Sequence, residues 1–316
     1  MNTENKKIFI GIDVSKATLD ISISGKHFKI KNTDEDISVF IKTEISSKSF
    51  LPTLICLEST GGYERLVMQA LQKAGLSVHR AHPNKVHSFA KASGHFAKTD
   101  KLDAKLLEKY AEFAFCTNGE RGDDLIAEST VALQSLRGVE RDLCDTLHAN
   151  QCRIQHLSAA AEKHLNAHIA FIKKQLEEVR ADIQTVIESD EVLQKKSEIL
   201  TSYKGIGTKI ASALLAELPE LGTLNKKEIA SLVGVAPKLY ESGTKKLGGH
   251  IAGGRFYVRK ALYMAALVAM RHNSKMKAFY QRLVAAGKMK KVAIVAVMRK
   301  IIVCLNTMIK NSENYA

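Results

Sequence analysis

The chain predicts a mixed α/β sheet domain, then a long helical arm, then a small, mostly α-helical C-terminal domain. Short apolar strands alternate with amphipathic helices up to residue 125; Ala127–Lys196 then runs without proline and with a single glycine, Gly138; the last third reads as closely spaced helices. Boundaries at 1–125, 126–198 and 199–316 follow, and 316 residues with 45% hydrophobic content suffice for two compact domains and a connector.

The elements come in order. Lys7–Val14 (KIFIGIDV) reads as a buried strand, Thr18–Ser24 alternates as a second and His27–Lys31 forms a third, with Gly25 in the tight turn between the last two. Asp34–Glu44 has helical character and Thr53–Leu57 is another apolar strand. Glu64–Ala74 is a helix ended by Gly75, Ser77–Ala81 is a fifth strand, Pro83 opens a helix at its first turn, and Lys101–Phe115 is amphipathic. Beyond Ala127 two stripes recur at three- and four-residue steps, from Leu133, Leu136 and Val139 to Ile154, and from Ile169, Ile172 and Leu176 to Ile187. Two long helices in an antiparallel hairpin, or a dimerising coiled coil, produce that pattern. In Tyr203–Leu218 the Gly205-Ile206-Gly207 turn between two helices suggests a helix-hairpin-helix, whose backbone N–H groups approach a phosphate.

The net charge is +14, and its location says more: 18 basic and 3 acidic residues lie between Lys226 and Ala316, against 29 and 30 in the rest. A polyanion is the expected partner of that segment. Five scattered cysteines without a CxxC pair fit a reducing cytoplasm and neither a disulfide framework nor a zinc module. The polar N-terminus is no signal peptide, and the apolar stretches Ala261–Met270 and Val292–Leu305 are too short or interrupted by charges, so no membrane span is expected.

Asp13 ends the first strand and Glu58 follows the fourth. If those strands are parallel neighbours, both carboxylates stand at the carboxyl edge, where α/β folds place their sites. Asp100 and Asp103, three apart, share a helix face that can close over the same edge. Four carboxylates so close take up protons unless cations neutralise them, and hard cations such as Mg²⁺ or Mn²⁺ prefer oxygen ligands. Singly, each acid has a plainer role, with Asp13 as a turn residue or Asp100 as a helix cap. Together, GIDVSKATLDISI, LICLESTGGYE and KTDKLDAKLL resemble in order and spacing the RuvC-like branch of the RNase H fold. A likeness of the first segment to the phosphate loop of actin-like kinases has no later glycine-rich adenosine motif to support it.

In Val233–Arg259, Ser242 sits in what reads as a flexible loop rich in glycine and lysine, with Lys245 and Lys246, ahead of Arg255 and Arg259. A serine activated by cationic neighbours can attack phosphate, and two arginines can clamp its oxygens, although a Ser-Gly pair in a basic loop is more often a DNA contact alone. The His79, His82, His87 and His95 cluster reads as nucleic-acid contact or polar surface rather than as a metal centre.

Taken together, these motifs resemble the DEDD transposases of bacterial insertion sequences, the family that includes the pilin-gene invertases and the bridge-RNA-guided recombinases. The resemblance implies a carboxylate tetrad at Asp13, Glu58, Asp100 and Asp103, and a catalytic serine at Ser242 that holds DNA as a phosphoserine. It further implies Mg²⁺ or Mn²⁺, donor and target DNA, a structured noncoding guide RNA, and a homo-oligomer, dimer or tetramer, in which one subunit's serine faces another's carboxylates. Tyr240, two residues from the serine, is chemically capable of the same step. The competing expectation is a RuvC-like junction resolvase that cuts with water.

Overall fold

A computed structural model describes residues 7–46, 52–94, 99–119, 121–123, 126–242 and 245–315. The chain divides into two compact units, Met1–Ile126 and Ala127–Ala316.

The first unit is built on five strands: β1 (Phe9–Val14), β2 (Thr18–Ile23), β3 (Lys26–Lys31), β4 (Leu54–Glu58) and β5 (Val78–Ala81). Their order is β3-β2-β1-β4-β5. The first three form an antiparallel meander, and β1, β4 and β5 run parallel, with Ile12 opposite Leu57. Strand alternation divides the side chains between two faces. Ile10, Ile12, Leu19, Ile21, Ile55 and Leu57 pack with α1 (Asp34–Phe40, continued by a π-helical turn Ile41–Ile45) and α2 (Glu64–Lys73). On the other face, Phe9, Leu54, Cys56 and Ala81 pack with α3 (Pro83–Ala92) and α4 (Asp100–Asn118) through Val86, Leu107 and Tyr110. A helix layer on each face of a mixed sheet is the expected architecture.

One absent atom sets how close α4 comes. A Cβ on Gly11 would lie 2.1 Å from the Ala104 carbonyl oxygen and 2.2 Å from the Glu108 nitrogen. Only glycine at this point of β1 lets the helix backbone lie against the sheet, two residues before Asp13.

The second unit begins with α5 (Glu128–Ile154) and α6 (Ala159–Ser189), which the short link between them forces into an antiparallel hairpin. Polar pairs mark the register: Ser129 Oγ donates to Asp190 at 2.5 Å, Arg180 Nε to Glu140 at 3.0 Å, and Asn150 Nδ2 lies 3.1 Å from His168 Nδ1. Glu140 is buried and also bonded to Arg137, so its charge has two guanidinium partners. A buried ion cluster adds little net stability, but it penalises every other register.

The hairpin base merges with the helices that follow: α7 (Glu191–Ser202), α8 (Thr208–Glu217), α9 (Lys226–Val233), α10 (Phe256–His272), α11 (Ser274–Ala285) and α12 (Lys290–Asn311). Leu133, Val179, Ile183 and Ile187 of the hairpin share one core with Leu214, Val258, Leu262, Val297 and Ile301.

One sequence expectation is corrected here. The segment around Ser242 is not a loop but an antiparallel hairpin of β6 (Lys238–Ser242) and β7 (Lys245–His250), in which Ser242 pairs with Lys245. The apolar stretch Val292–Leu305, interrupted by Arg299 and Lys300, lies in α12, which by length and composition alone could cross a bilayer. The buried face of α12, from Ala293 to Ile309, is part of this unit's core, which accounts for its apolar character.

Candidate functional site

Because β1 and β4 are parallel neighbours, their carboxyl ends bring Asp13 and Glu58 to the same edge of the sheet. Asp13, Glu58 and Asp103 line a cleft of about 820 Å³, together with Thr60 and, from α3, Val86, His87 and Lys91. Asp103 reaches the cleft from the first turn of α4, whose start is fixed by Thr99: its hydroxyl accepts from Leu102 N at 3.3 Å. Thr99, not Asp100, is therefore the cap.

Asp100 is placed differently. It is the first residue of α4, its side chain is 69% exposed, and it is absent from the cleft lining. The Lys29 ammonium lies 3.8 Å from it and 3.1 Å from Asp20 Oδ2. Asp20 is the register partner of Asp13 on β2, is buried, and lies 2.8 Å from His27 Nε2. A buried carboxylate between two basic side chains thus holds a cation beside the fourth acid. Sequence reasoning missed Asp20 and Lys29, although a tight β1–β2 turn already places residue 20 opposite residue 13.

The electrostatics show the crowding. The Asp13 carboxyl is pushed up to about 6, by burial first and then by Asp103, Asp100 and Asp20. Three neighbouring carboxylates raise the free energy of its anion, as in any site where like charges share one space. Among the described residues, no three histidine, cysteine or carboxylate side chains stand at ligating distance of one point. Three of the four acids, Asp13, Glu58 and Asp103, share the cleft, and Asp100 stands outside its lining at the start of α4.

The turn that carries Glu58 away from β4 is held from below. Glu64, buried at the start of α2, accepts from Gly62 N at 2.8 Å, Thr60 N at 3.2 Å and the Thr60 hydroxyl at 3.2 Å. Burial pulls its carboxyl upward, but the backbone N–H groups of Glu64, Gly62 and Thr60 outweigh that and hold it below the ordinary value. Of the histidines, His87 lines the cleft, His82 caps α3 by accepting from Asn84 N at 3.2 Å, and His79 is buried with Nδ1 3.5 Å from Asp123, so only two of these three are polar surface. His95 lies outside the described residues.

In the second unit, Ser242 closes β6, and Lys245 and Lys246 open β7. The arginines expected as phosphate clamps have structural partners. Arg255 bonds Glu220 through both terminal nitrogens and donates to the Glu217 carbonyl at 2.7 Å; Arg259 donates to the Gly253 carbonyl. They brace the tight contact of Gly253 and Gly254 against Gly234, where a Cβ on Gly254 would lie 2.3 Å from the Gly234 nitrogen. Gly205, at φ 117°, faces Ala269 of α10, whereas Gly207 caps the exposed start of α8 with nothing near its missing Cβ.

Two family models match the chain: a DEDD transposase model over residues 10–159, which includes all four acids, and the transposase IS116/IS110/IS902 family over 197–281, which includes the Ser242 hairpin. The chain belongs to the IS110 family of transposases. Membership makes it a DNA recombinase, and whole-chain relatives agree. It is 26% identical to the pilin gene-inverting protein of Moraxella lacunata over 98% of both chains. It is 22% identical to the transposase for insertion sequence element IS1328 of Yersinia enterocolitica over 83% of both. A shorter match, 27% identical over 48% of this chain and 37% of the other, is to an uncharacterized protein of insertion element IS110 from Streptomyces coelicolor. The first family match thus spans the sheet unit and α5, and the second spans the helices on either side of the Ser242 hairpin.

Proposed function

We propose that this transposase cuts and rejoins the DNA of an insertion element with a RuvC-like carboxylate site, Asp13, Glu58, Asp100 and Asp103, and with Ser242 as nucleophile. The observation that carries the reading is the cleft edge, where Asp13 is raised to about 6 by burial and by neighbouring carboxylates. Excess negative charge on oxygen donors alone fits Mg²⁺ or Mn²⁺ better than softer ions. When bound, such an ion would offset charge on the phosphate and lower the pKa of an attacking hydroxyl. Asp13, Glu58 and Asp103 would hold it, and Asp100, now beside Lys29, would complete the set by turning inward.

The Ser242 hydroxyl attacks phosphorus, the bond from phosphorus to a deoxyribose oxygen breaks, and that oxygen takes the proton the serine gives up. The product is a serine phosphodiester. A second deoxyribose hydroxyl then reverses the exchange and frees the serine. One ester replaces another at each step, so rejoining needs no outside energy source. In this reading Lys245 and Lys246, next to Ser242 across the β6–β7 pairing, meet the reacting phosphate, and the backbone N–H groups at the start of α8 at Gly207 meet another phosphate of the strand. A structured guide RNA, a dimer or tetramer assembled through the α5–α6 hairpin, and action in the cytoplasm complete the reading.

The test is a covalent adduct. Labelled element-end DNA, incubated with protein, Mg²⁺ and the RNA transcribed beside the reading frame, then denatured in detergent, should leave label on the chain. Ser242→Ala should remove that label and Tyr240→Phe should keep it. Label lost only in Tyr240→Phe would transfer the role to the tyrosine. Cleavage without any adduct would make the enzyme a resolvase that uses water.

A further inference from the structure

Helix α10 has a buried and an exposed side, and the exposed side has an unusual composition. Val258, Leu262, Ala265, Ala266 and Ala269 are fully buried. Opposite them Phe256 is 60% exposed, Met264 53%, Tyr257 45%, Tyr263 43% and Val268 40%. At about 100° per residue, Lys260 and Arg271 fall along the middle of that side, with Phe256 and Tyr263 flanking them on one edge and Tyr257, Met264 and Val268 on the other. Both cations are exposed. The result is a ridge of positive charge between two apolar rows, in the segment that carries nearly all of the chain's excess charge.

Two of the aromatic rings, Phe256 and Tyr257, are held in place. Phe256 and Tyr257 meet edge to face at 5.5 Å, and the Arg141 guanidinium of α5 lies 4.1 Å from the Tyr257 ring centre while paired with Glu217. The Arg259 guanidinium lies 6.0 Å from the Phe256 ring and is itself bonded to the Gly253 carbonyl. Rings fixed in this way lose little further freedom when a ligand stacks on them.

We propose that the exposed side of α10 is a stacking platform for unpaired bases of single-stranded DNA, with Lys260 and Arg271 following the sugar–phosphate backbone. A second protein surface placed on these apolar rows would have to bury the two cations between them. Duplex DNA offers phosphates to the cations but no open base face to the rings. A single strand satisfies both, since every base has a π-face and every linkage a charge. The proposal rests on the transposase reading only in taking DNA as the partner, and it requires neither the serine step nor a metal.

Equilibrium binding of a fluorescent single-stranded oligonucleotide to the full chain tests it, with the same sequence as duplex and as RNA in parallel, each over a range of salt. Phe256→Ala with Tyr263→Ala should weaken single-strand binding by roughly tenfold or more, the scale of losing stacked bases. Duplex binding should change less than about twofold, and the slope of log affinity against log salt should stay the same, because no charge is removed. Phe256→Tyr with Tyr263→Phe should retain the affinity, and Lys260→Gln with Arg271→Gln should flatten the slope. Equal losses on single strand and duplex, or no loss, would overturn the proposal. So would an RNA strand held more tightly than DNA, or a fall in oligomer mass in the double alanine variant, which would give this face to RNA or to a second copy. An adduct at Ser242 that persists in the double alanine variant leaves the recombinase reading standing even if the platform fails.

Discussion

The two units differ most in what their charges do. Up to Ile126 the chain holds 18 basic and 16 acidic residues, and from Ala127 to Ala316 it holds 29 and 17, with 18 and 3 of those from Lys226 onward. Balanced overall, the first unit still gathers acids at one sheet edge, where Asp13 shifts to about 6. The second spreads its cations over a helical surface. A local concentration of charge alters protonation and calls for an ion, whereas a dispersed one acts at long range on a polymer. The gathered acids and the spread cations therefore lie in different units, and each set can be removed alone.

The sharpest way to break that separation is to remove a carboxylate. Asp13→Ala, Glu58→Ala or Asp103→Ala should lower strand cleavage by more than about a hundredfold, the upper end for losing a residue that only supports a metal ligand. DNA affinity and its salt dependence should remain. An equal loss of affinity would show that the acids take part in holding DNA.

Gly11→Ala comes next. Its methyl group would enter the α4 backbone, so the helix must lift or the strand must bend, with a stability loss of about 1–3 kcal/mol and a parallel loss of cleavage. Urea denaturation and a cleavage assay on one sample check both; full activity at reduced stability would mean that the spacing of Asp13 and Asp103 is not set by this contact.

The pH dependence tests whether the crowding is real. The Asp13 value rises on folding from 3.8 to about 6, so the folded state binds this proton more tightly than the unfolded chain. Its contribution to stability is complete below pH 3.8 and is lost as pH rises through about 6. In chelator, the denaturation midpoint of the wild type should fall across that window relative to Asp13→Asn, and Mg²⁺ should restore it above pH 6 in the wild type alone. Superimposable profiles would remove the electrostatic basis of the metal reading.

The smallest effects lie with single cations. Replacing Lys290 and Lys291 by glutamine should reduce the salt slope of duplex binding by about 0.9 for each phosphate left without its cation. Lys29→Met should instead leave DNA binding unchanged and strengthen Mn²⁺ binding severalfold by freeing Asp100, measured by calorimetry. Weaker Mn²⁺ binding would identify the ammonium as a support for Asp100.

The sheet was legible because its strands alternate and its helices begin and end on recognisable residues, whereas the parallel pairing that joins Asp13 to Glu58 entered as a condition that the structure meets. What stayed hidden depends on interactions between distant segments. Nothing near Gly11 announces that α4 will lie on it, and nothing near Arg255 announces Glu220. The Ser242 hairpin was obscured because only Gly243 and Thr244 separate its strands, in a sequence whose lysines and glycines look like an open loop. Asp20 is readable from the meander, yet one aspartate in an alternating strand ordinarily faces water, so its burial beside the site has no local signal.

The α5–α6 hairpin carries one more consequence. Its second limb has 31 residues, roughly 46 Å of helix at 1.5 Å per residue, and its base is packed into the same core as α10 and α12. Paired charges and amides at intervals along it oppose sliding of one limb past the other. Such a strut does not absorb a load; it passes it on. A pull or a twist applied at Gln155–Ser158 is passed to α10 and α12 through that core, so whatever grips the tip has mechanical purchase on the helices of the second unit.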